Sequence, residues 1–245
     1  MITETEVAWL QTRYPNLTVN AARTEISGEL VFAAAYDKAT DTFTPLTQPG
    51  QTAPGIVLRG SYEISIKKGR NDKTLPTLQV LGNKITPILD RHFYDTGHAC
   101  LCGPVEEINH MSAGISFPRY LEVLVYPFLY AQRHYDTHEE WPWKDYPHGS
   151  AGALESFYRA GSTQEHAEVC IRKIQLNVPG WPRMEKLLSG QEHVNGATNC
   201  VCGPRHKMRE HPAVWYGLLK LRQAIAGYDL SIQKTAQQQD ESVKK

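Results

Sequence analysis

Alternation of apolar and polar positions predicts a β-sheet in the first third of the chain. Between residues 61 and 66, Tyr, Ile and Ile alternate with Ser, Glu and Ser, as in a strand with one buried face. Residues 26–36 are also strand-like. Residues 75–82 predict a strand that begins beside or just after Pro76, because proline cannot donate a hydrogen bond within a sheet. We therefore expect a meander of three or four antiparallel strands.

Helical patterns precede and follow these strands. Thr3, with Glu6 three residues later, is a capping box and predicts an opening helix. Residues 117–135 are apolar on almost all sides and predict a buried helix that is kinked or restarted at Pro127. Residues 163–175 predict another short helix. The expected fold class is α+β, with the antiparallel strands packed against helices.

The last third of the chain shows a different organisation. Glycines and prolines between residues 180 and 196 indicate a looser linker. A small module follows from residue 197, with a cysteine cluster and a helix that begins at Pro212 and stops at Gly227. Residues 230–245 are polar and are predicted to be disordered.

Composition and charge exclude several classes of partner. The chain of 245 residues has 26 Lys and Arg against 26 Asp and Glu, without a basic run that would attract nucleic acid. No apolar segment reaches the roughly 18 residues of a membrane span, and no signal-peptide pattern opens the sequence, so we expect a cytoplasmic protein. The five cysteines are then better interpreted as thiols or metal ligands than as disulfides.

The segment 94–104, "YDTGHACLCGP", carries Cys100 and Cys102 behind a glycine and a histidine. A partly exposed cysteine in such a loop can act as a nucleophile, with nearby histidines as proton acceptors. The two cysteines could equally be small buried side chains of an extended segment. A third interpretation is zinc bound by both cysteines and His110.

Four motifs in this order resemble a known family. They are the loop "HFYDTGHACLC" (92–102), the segment "YPFLYAQRHY" (126–135), and the Trp-Pro and His-Gly-x-x-G-x-x-E elements within "EWPWKDYPHGSAGALESFY" (140–158). Together they are similar to the bacterial branch of the ubiquitin-conjugating-enzyme family that is encoded in antiphage operons of the CBASS type. The element "GHACL" (97–101) also resembles the G-x-I-C-L of ubiquitin-conjugating enzymes. The resemblance covers roughly residues 1–160 and implies a ubiquitin-conjugating-enzyme-like domain with a four-strand meander.

The resemblance also implies an activity. Cys100 would carry an acyl group as a thioester and pass it to an amine, without a cofactor for the catalysis. The family's His-Pro-Asn is replaced by "HFY" (92–94), so the oxyanion donor would be a backbone N–H of the loop, Asn109 or His110. His148 is a further candidate base or supporting residue.

The implied partner is a cGAS-like nucleotidyltransferase, whose C-terminal glycine would be transferred, or a ubiquitin-like protein with its activating enzyme. No nucleotide-binding glycine motif is present, so the energy of the thioester would come from a partner or an activated substrate. The alternative is a noncatalytic adaptor of the same fold that only binds the nucleotidyltransferase or ubiquitin-like protein.

A second cysteine cluster, "CVCGPRHKMREH" (200–211), resembles the small SEC-C zinc module. That resemblance implies Cys200, Cys202 and His211 as three ligands, with Pro212 at the position of the fourth and His206 as a substitute. The alternative is a module that has lost its metal and kept a packing helix. The expected domains are residues 1–160, a helical linker over 161–196, the SEC-C-like module over 197–229, and the tail over 230–245.

Overall fold

The computed structural model of the chain divides into two compact units. The sheet unit comprises residues 1–102 and 107–145, and the helical unit comprises residues 103–106 and 146–245. Residues 146–160, which were expected to belong to the first domain, cluster with the helical unit. The structure describes residues 2–48, 50–69, 74–103, 105–112, 114–144, 147, 149–176 and 180–226. The tail predicted to be disordered lies outside these residues.

The sheet unit contains a five-stranded antiparallel sheet, so the α+β class is confirmed. Its order is β1-β2-β4-β5, and β3 also pairs with β2. Two of the five strands were not expected, because segments of three and four residues are too short to show an alternating pattern. The strands are β1 (Leu17–Val19), β2 (Glu25–Asp37), β3 (Thr42–Pro45), β4 (Ile56–Lys67) and β5 (Thr77–Val80).

The long strands β2 and β4 form the centre of the sheet because their apolar positions face one side. Leu30 pairs with Tyr62, and Ile26 pairs with Ile66. These four side chains are almost fully buried. The strand β5 begins one residue after Pro76, as the proline predicted.

Helices of the sheet unit cover this buried face. The first helix, α1 (Glu4–Arg13), starts at a complete capping box between Thr3 and Glu6, as predicted. The apolar segment after residue 116 forms α3 (Phe117–Tyr120), a π-helical stretch over Leu121–Val125, and α4 (Tyr126–His138). Proline lies in the first turn of α4, where its missing N–H is tolerated, so the predicted restart at Pro127 is confirmed. The short α2 (Glu106–Ser112) precedes them.

The helical unit contains more helix than the sequence indicated. The helix α6 (Gln164–Leu176) was expected at nearly the same bounds, and α8 begins at Pro212 as predicted. The segment that carries the His-Gly-x-x-G-x-x-E element forms α5 from residue 149 onward. The prediction of a looser linker between residues 180 and 196 is wrong for the first half of that segment, which forms α7. The unit's helices are α5 (Gly149–Arg159), α6, α7 (Trp181–Ser189) and α8 (Pro212–Ala224).

The glycines and prolines around α7 lie at the start and the end of the helix, where they do not prevent it from forming. Gly180 is its N-cap, Pro182 lies in its first turn, and Gly190 closes it in the left-handed conformation with φ +82°. Proline near the start and glycine at the end are compatible with a nine-residue helix. Across the part of the chain that the structure describes, no helix has the length and apolar character needed to cross a membrane.

Candidate functional site

A short hairpin presents Cys100 in the sheet unit. Phe93 and Ala99 form an isolated antiparallel bridge, and the Cys100 amide donates to the His92 carbonyl at 2.7 Å. The Tyr94 amide donates to the His98 carbonyl at 2.9 Å on the other side of the bridge. The hairpin is attached to β5 because the Ala99 amide donates to the Leu78 carbonyl at 2.8 Å.

The two faces of this hairpin have different environments. Phe93 and Ala99 are buried, and the Phe93 ring contacts the Phe128 ring with centroids 5.4 Å apart. Successive side chains of an extended segment point to opposite sides, so Tyr94 and Cys100 lie on the face away from this core. Cys100 is half-buried. The half-buried position of Cys100 agrees with the interpretation of a partly exposed cysteine and not with that of a fully buried one.

Tyr94 is the residue of this site that sequence reasoning missed. Its hydroxyl lies close enough to the Cys100 thiol for the two groups to interact electrostatically, while 52% of the tyrosine remains exposed. Loss of water around the hydroxyl, followed by the proximity of Cys100, raises the pKa of Tyr94. The phenol therefore stays neutral and can donate its proton to an anion at this position. Its alternation with the buried Phe93 could have placed it on the face of Cys100.

The glycine in this segment has a conformational role. Gly97 adopts φ +76° and its amide donates to the Tyr94 carbonyl at 2.8 Å, which closes the turn of the hairpin. His98 at the turn interacts with Thr96 through its Nδ1 at 2.9 Å. The His92 ring packs edge-on against the Trp141 ring, with centroids 5.2 Å apart.

The other predicted catalytic residues lie on α2 or outside the described part of the chain. Asn109 is exposed and His110 is half-buried, both on α2. Burial and the nearby Arg119 lower the pKa of His110, so its ring is biased to the neutral form that a base requires. His148 lies outside the described residues. Among the residues that were placed, Cys100, Cys102 and His110 do not form a group close enough to share a metal ion.

The segment after Cys102 is fixed within the helical unit by Ser156. The Ser156 hydroxyl accepts from the Val105 and Glu106 amides at 3.1 and 3.2 Å, and the Glu106 carboxylate accepts from the Gly103 amide at 2.9 Å. A Cβ added to Gly103 would lie 2.4 Å from the Ser156 hydroxyl oxygen. Any side chain at position 103 would therefore displace the Ser156 hydroxyl from these hydrogen bonds.

The C-terminal cluster of Cys200, Cys202 and His211 has the geometry of a metal site. The ligating atoms lie within 4.8 Å of one another, and His211 Nδ1 is 3.4 Å from Cys200 Sγ and 3.3 Å from Cys202 Sγ. Bond lengths of about 2.0 to 2.3 Å around a tetrahedral ion place neighbouring ligands about 3.5 Å apart. Two thiolates and an imidazole therefore form a donor set that could hold a transition-metal ion, as predicted for these three residues.

The environment of this cluster is asymmetric. Cys200 is buried and Cys202 is exposed. Loss of solvation and the adjacent Cys200 raise the pKa of Cys202 to about 12. In the metal-free protein the Cys202 thiol is therefore protonated at neutral pH, and metal binding must release a proton.

His206, the expected substitute ligand, is adjacent to the cluster and is not part of it. Its ring stacks on the His211 ring with centroids 5.1 Å apart, and its Nδ1 lies 3.5 Å from the Glu210 carboxylate. The His206 carbonyl, rather than its ring, supports the loop by accepting from the Cys200 amide at 2.8 Å. Among the residues that the structure describes, three side chains form this group of possible metal ligands.

Comparisons of this chain with protein-family models, curated proteins and solved structures find no match.

Proposed function

We propose that this chain is a cysteine-dependent acyl transferase with a ubiquitin-conjugating-enzyme-like fold, and that Cys100 carries the acyl group. The observation that supports it is the hairpin, whose buried face is formed by Phe93 and Ala99 and whose other face carries a half-buried Cys100 beside a neutral phenol. The antiparallel sheet with helices is compatible with this fold.

The reaction has two steps that balance without a further reagent. In the first, the Cys100 thiolate attacks the carbonyl carbon of an acyl group that a partner protein delivers as a thioester. The carbonyl oxygen becomes an oxyanion, the bond to the partner's sulfur breaks, and the partner leaves as a thiolate. In the second, a primary amine attacks the Cys100 thioester, an amide bond forms, and the Cys100 thiolate leaves while a base takes the proton of the amine.

Three groups have proposed roles in these steps. The Tyr94 hydroxyl is a neutral donor next to Cys100 and is suited to stabilise the oxyanion where the family's Asn is missing. His110 has its pKa lowered by burial and Arg119 and is suited to accept the proton of the amine. Asn109 and His148 remain candidates for the oxyanion and base roles that the family resemblance implies.

The proposed acyl group is the C-terminal glycine of a cGAS-like nucleotidyltransferase, or the C-terminus of a ubiquitin-like protein, which reaches Cys100 already activated as a thioester on a separate partner protein. This assignment rests on the four motifs that resemble the conjugating enzymes of CBASS antiphage operons. The proposed site of action is the bacterial cytoplasm, where cysteines remain reduced.

We also propose that Cys200, Cys202 and His211 bind zinc in an SEC-C-like module. The proposal is supported by the separations of 3.3 and 3.4 Å between His211 Nδ1 and the two sulfur atoms. When bound, zinc would link the loop that carries the two cysteines to the start of α8 and so stabilise the folded module. Metal content per purified chain tests this: it should be lost in Cys200→Ala and retained in Cys100→Ala.

The transferase proposal is tested by trapping the acyl group. Wild-type, Cys100→Ala and Cys100→Ser proteins are each expressed with the candidate acyl-group protein and its activating partner, and are analysed by intact mass and nonreducing gels. We expect a wild-type adduct that thiol treatment removes, no adduct in Cys100→Ala, and a thiol-resistant ester in Cys100→Ser. If no adduct forms and Cys100→Ala still protects cells against phage, the transferase proposal fails and the noncatalytic adaptor becomes the better explanation.

A further inference from the structure

Arg183 contacts the backbone of the cysteine loop from a separate helix. Its guanidinium donates one hydrogen bond to the Asn199 carbonyl at 2.5 Å and a second to the Cys200 carbonyl at 3.0 Å. The residue lies in the first turn of α7, in the segment that the sequence indicated as a linker. Both contacts lie within the helical unit.

The position of Arg183 in its helix is unfavourable unless the side chain has another role. The N-terminal end of a helix carries a partial positive charge, so a basic residue in the first turn is opposed by the helix dipole. The two loop carbonyls provide the compensating negative ends of dipoles. A planar guanidinium can reach both oxygens at once in a fixed geometry, whereas a lysine ammonium is a single flexible point charge.

The two carbonyls belong to the peptide units on either side of the Cys200 Cα. On the opposite side of the loop, the Cys200 amide donates to the His206 carbonyl at 2.8 Å, and Asn199 forms a bridge with Lys207. With both the amide and the carbonyl of Cys200 held, its Cβ direction is fixed, and its Sγ is directed toward His211 Nδ1 at 3.4 Å. Most other described hydrogen bonds of the loop join residues between 195 and 211.

We propose that Arg183 is a positioning residue of the metal site: its two hydrogen bonds to the backbone of Asn199 and Cys200 hold the buried thiolate in the direction required for the metal. This inference rests on the proposed metal site and adds a residue that does not itself touch the metal. It also gives α7 a role, because the helix carries the guanidinium to the loop. Groups that orient metal ligands typically contribute a factor of about 10 to 100 in metal affinity.

The test measures zinc affinity of the full chain by competition with a chromophoric chelator. Arg183→Gln removes the charge and the paired donors, and Arg183→Lys keeps the charge but not the paired geometry. We expect zinc affinity to fall about 10- to 100-fold in Arg183→Gln and by an intermediate factor in Arg183→Lys. The matched control is Arg172→Gln on α6, an exposed arginine whose Nε donates to the Glu168 carbonyl within its own helix, and its affinity should equal that of the wild type.

A spectroscopic measurement separates positioning from general stability. Cobalt(II) replaces zinc, and its absorption reports the geometry of the thiolate ligands. We expect a changed cobalt spectrum in Arg183→Gln at saturating metal and an unchanged one in Arg172→Gln. If Arg183→Gln does not fold without metal, as judged by circular dichroism, the Arg183→Lys affinity and spectrum decide in its place.

The results distinguish failure of the metal site from failure of the positioning role. A wild-type protein that binds neither zinc nor cobalt overturns the metal site, and the positioning role with it. A wild-type protein that binds metal, with Arg183 variants that match its affinity within about twofold and its cobalt spectrum, overturns the positioning role alone.

Discussion

Replacing Tyr94 with Phe removes one hydroxyl group beside the Cys100 sulfur and leaves the ring in place. The hydroxyl lies next to the Cys100 thiol, and a donor next to a thiolate stabilises the charged form. The buried face of the hairpin, formed by Phe93 and Ala99, is unchanged by this substitution. We therefore expect Tyr94→Phe to leave the fold intact and to make the Cys100 thiolate harder to form.

The magnitude follows from the exposure of the site. A hydrogen bond to a charged group contributes about 1.5 to 3 kcal/mol. Tyr94 is 52% exposed, so water competes for the same interaction, and about 1 kcal/mol is the appropriate value here. Since about 1.4 kcal/mol corresponds to one pH unit, the midpoint of thiolate formation at Cys100 is expected to rise by about 0.7 pH unit.

The assay is the rate of Cys100 alkylation by iodoacetamide as a function of pH. Peptide mass spectrometry with fragmentation reads Cys100 separately from Cys102, which lies on the same peptide. The control is Tyr158→Phe, which changes a 41% exposed tyrosine of the helical unit and should leave the midpoint unchanged. Tyr94→Phe should also form the thioester more slowly than the wild type. The difference should persist at a pH where Cys100 is ionised in both proteins, because Tyr94→Phe lacks the oxyanion donor.

The outcome that refutes this reasoning is specific. If the alkylation midpoint of Tyr94→Phe lies within about 0.2 pH unit of the wild type, the hydroxyl does not stabilise the Cys100 thiolate. Thioester formation at wild-type rates would in addition remove Tyr94 from the proposed oxyanion site and leave Asn109 and His110 as the candidates.

Two further predictions concern stability. A Cβ on Gly217 of α8 would lie 2.2 Å from the Leu154 carbonyl oxygen of α5; Gly217→Ala should therefore destabilise the helical unit by about 2 kcal/mol, with overpacking of about 3 kcal/mol opposed by about 1 kcal/mol of helix propensity. An unchanged thermal midpoint would contradict it. Partial burial of Glu6 is outweighed by hydrogen bonds from Thr3 and the Phe117 amide, and the pKa of Glu6 is lowered below 4.5. A lowered folded-state pKa contributes stability at neutral pH that is lost as the pH falls through the folded-state pKa, so the roughly 0.5 kcal/mol that Glu6→Gln costs in urea unfolding at pH 6 should shrink as the medium is acidified below the ordinary range of a carboxyl group; a constant difference would contradict a stabilising role of the Glu6 charge.

Features that depend on local patterns were the part of the fold that could be predicted. The capping box at Thr3 and Glu6, the strand at 26–36 and the helix start at Pro212 each depend on neighbours a few residues away, and each appears as expected. The helix α7 was missed because glycine and proline are common both in linkers and at helix ends. The helix forms in the folded chain because its apolar side chains, among them Trp181 and Leu187, are buried in the interior of the unit.

The candidate sites divide in the same way. Residue type and spacing were enough to show which side chains could act, since Cys100 in its loop and the Cys200–Cys202 pair with His211 are recognisable on those grounds. Which of them meet depends on the tertiary packing, which brings Tyr94 next to Cys100, leaves His206 beside the group of ligands and brings Arg183 to the cysteine loop. Spacing along a chain constrains neighbours within one loop or helix turn, whereas the approach of residues from different elements depends on how their buried faces pack.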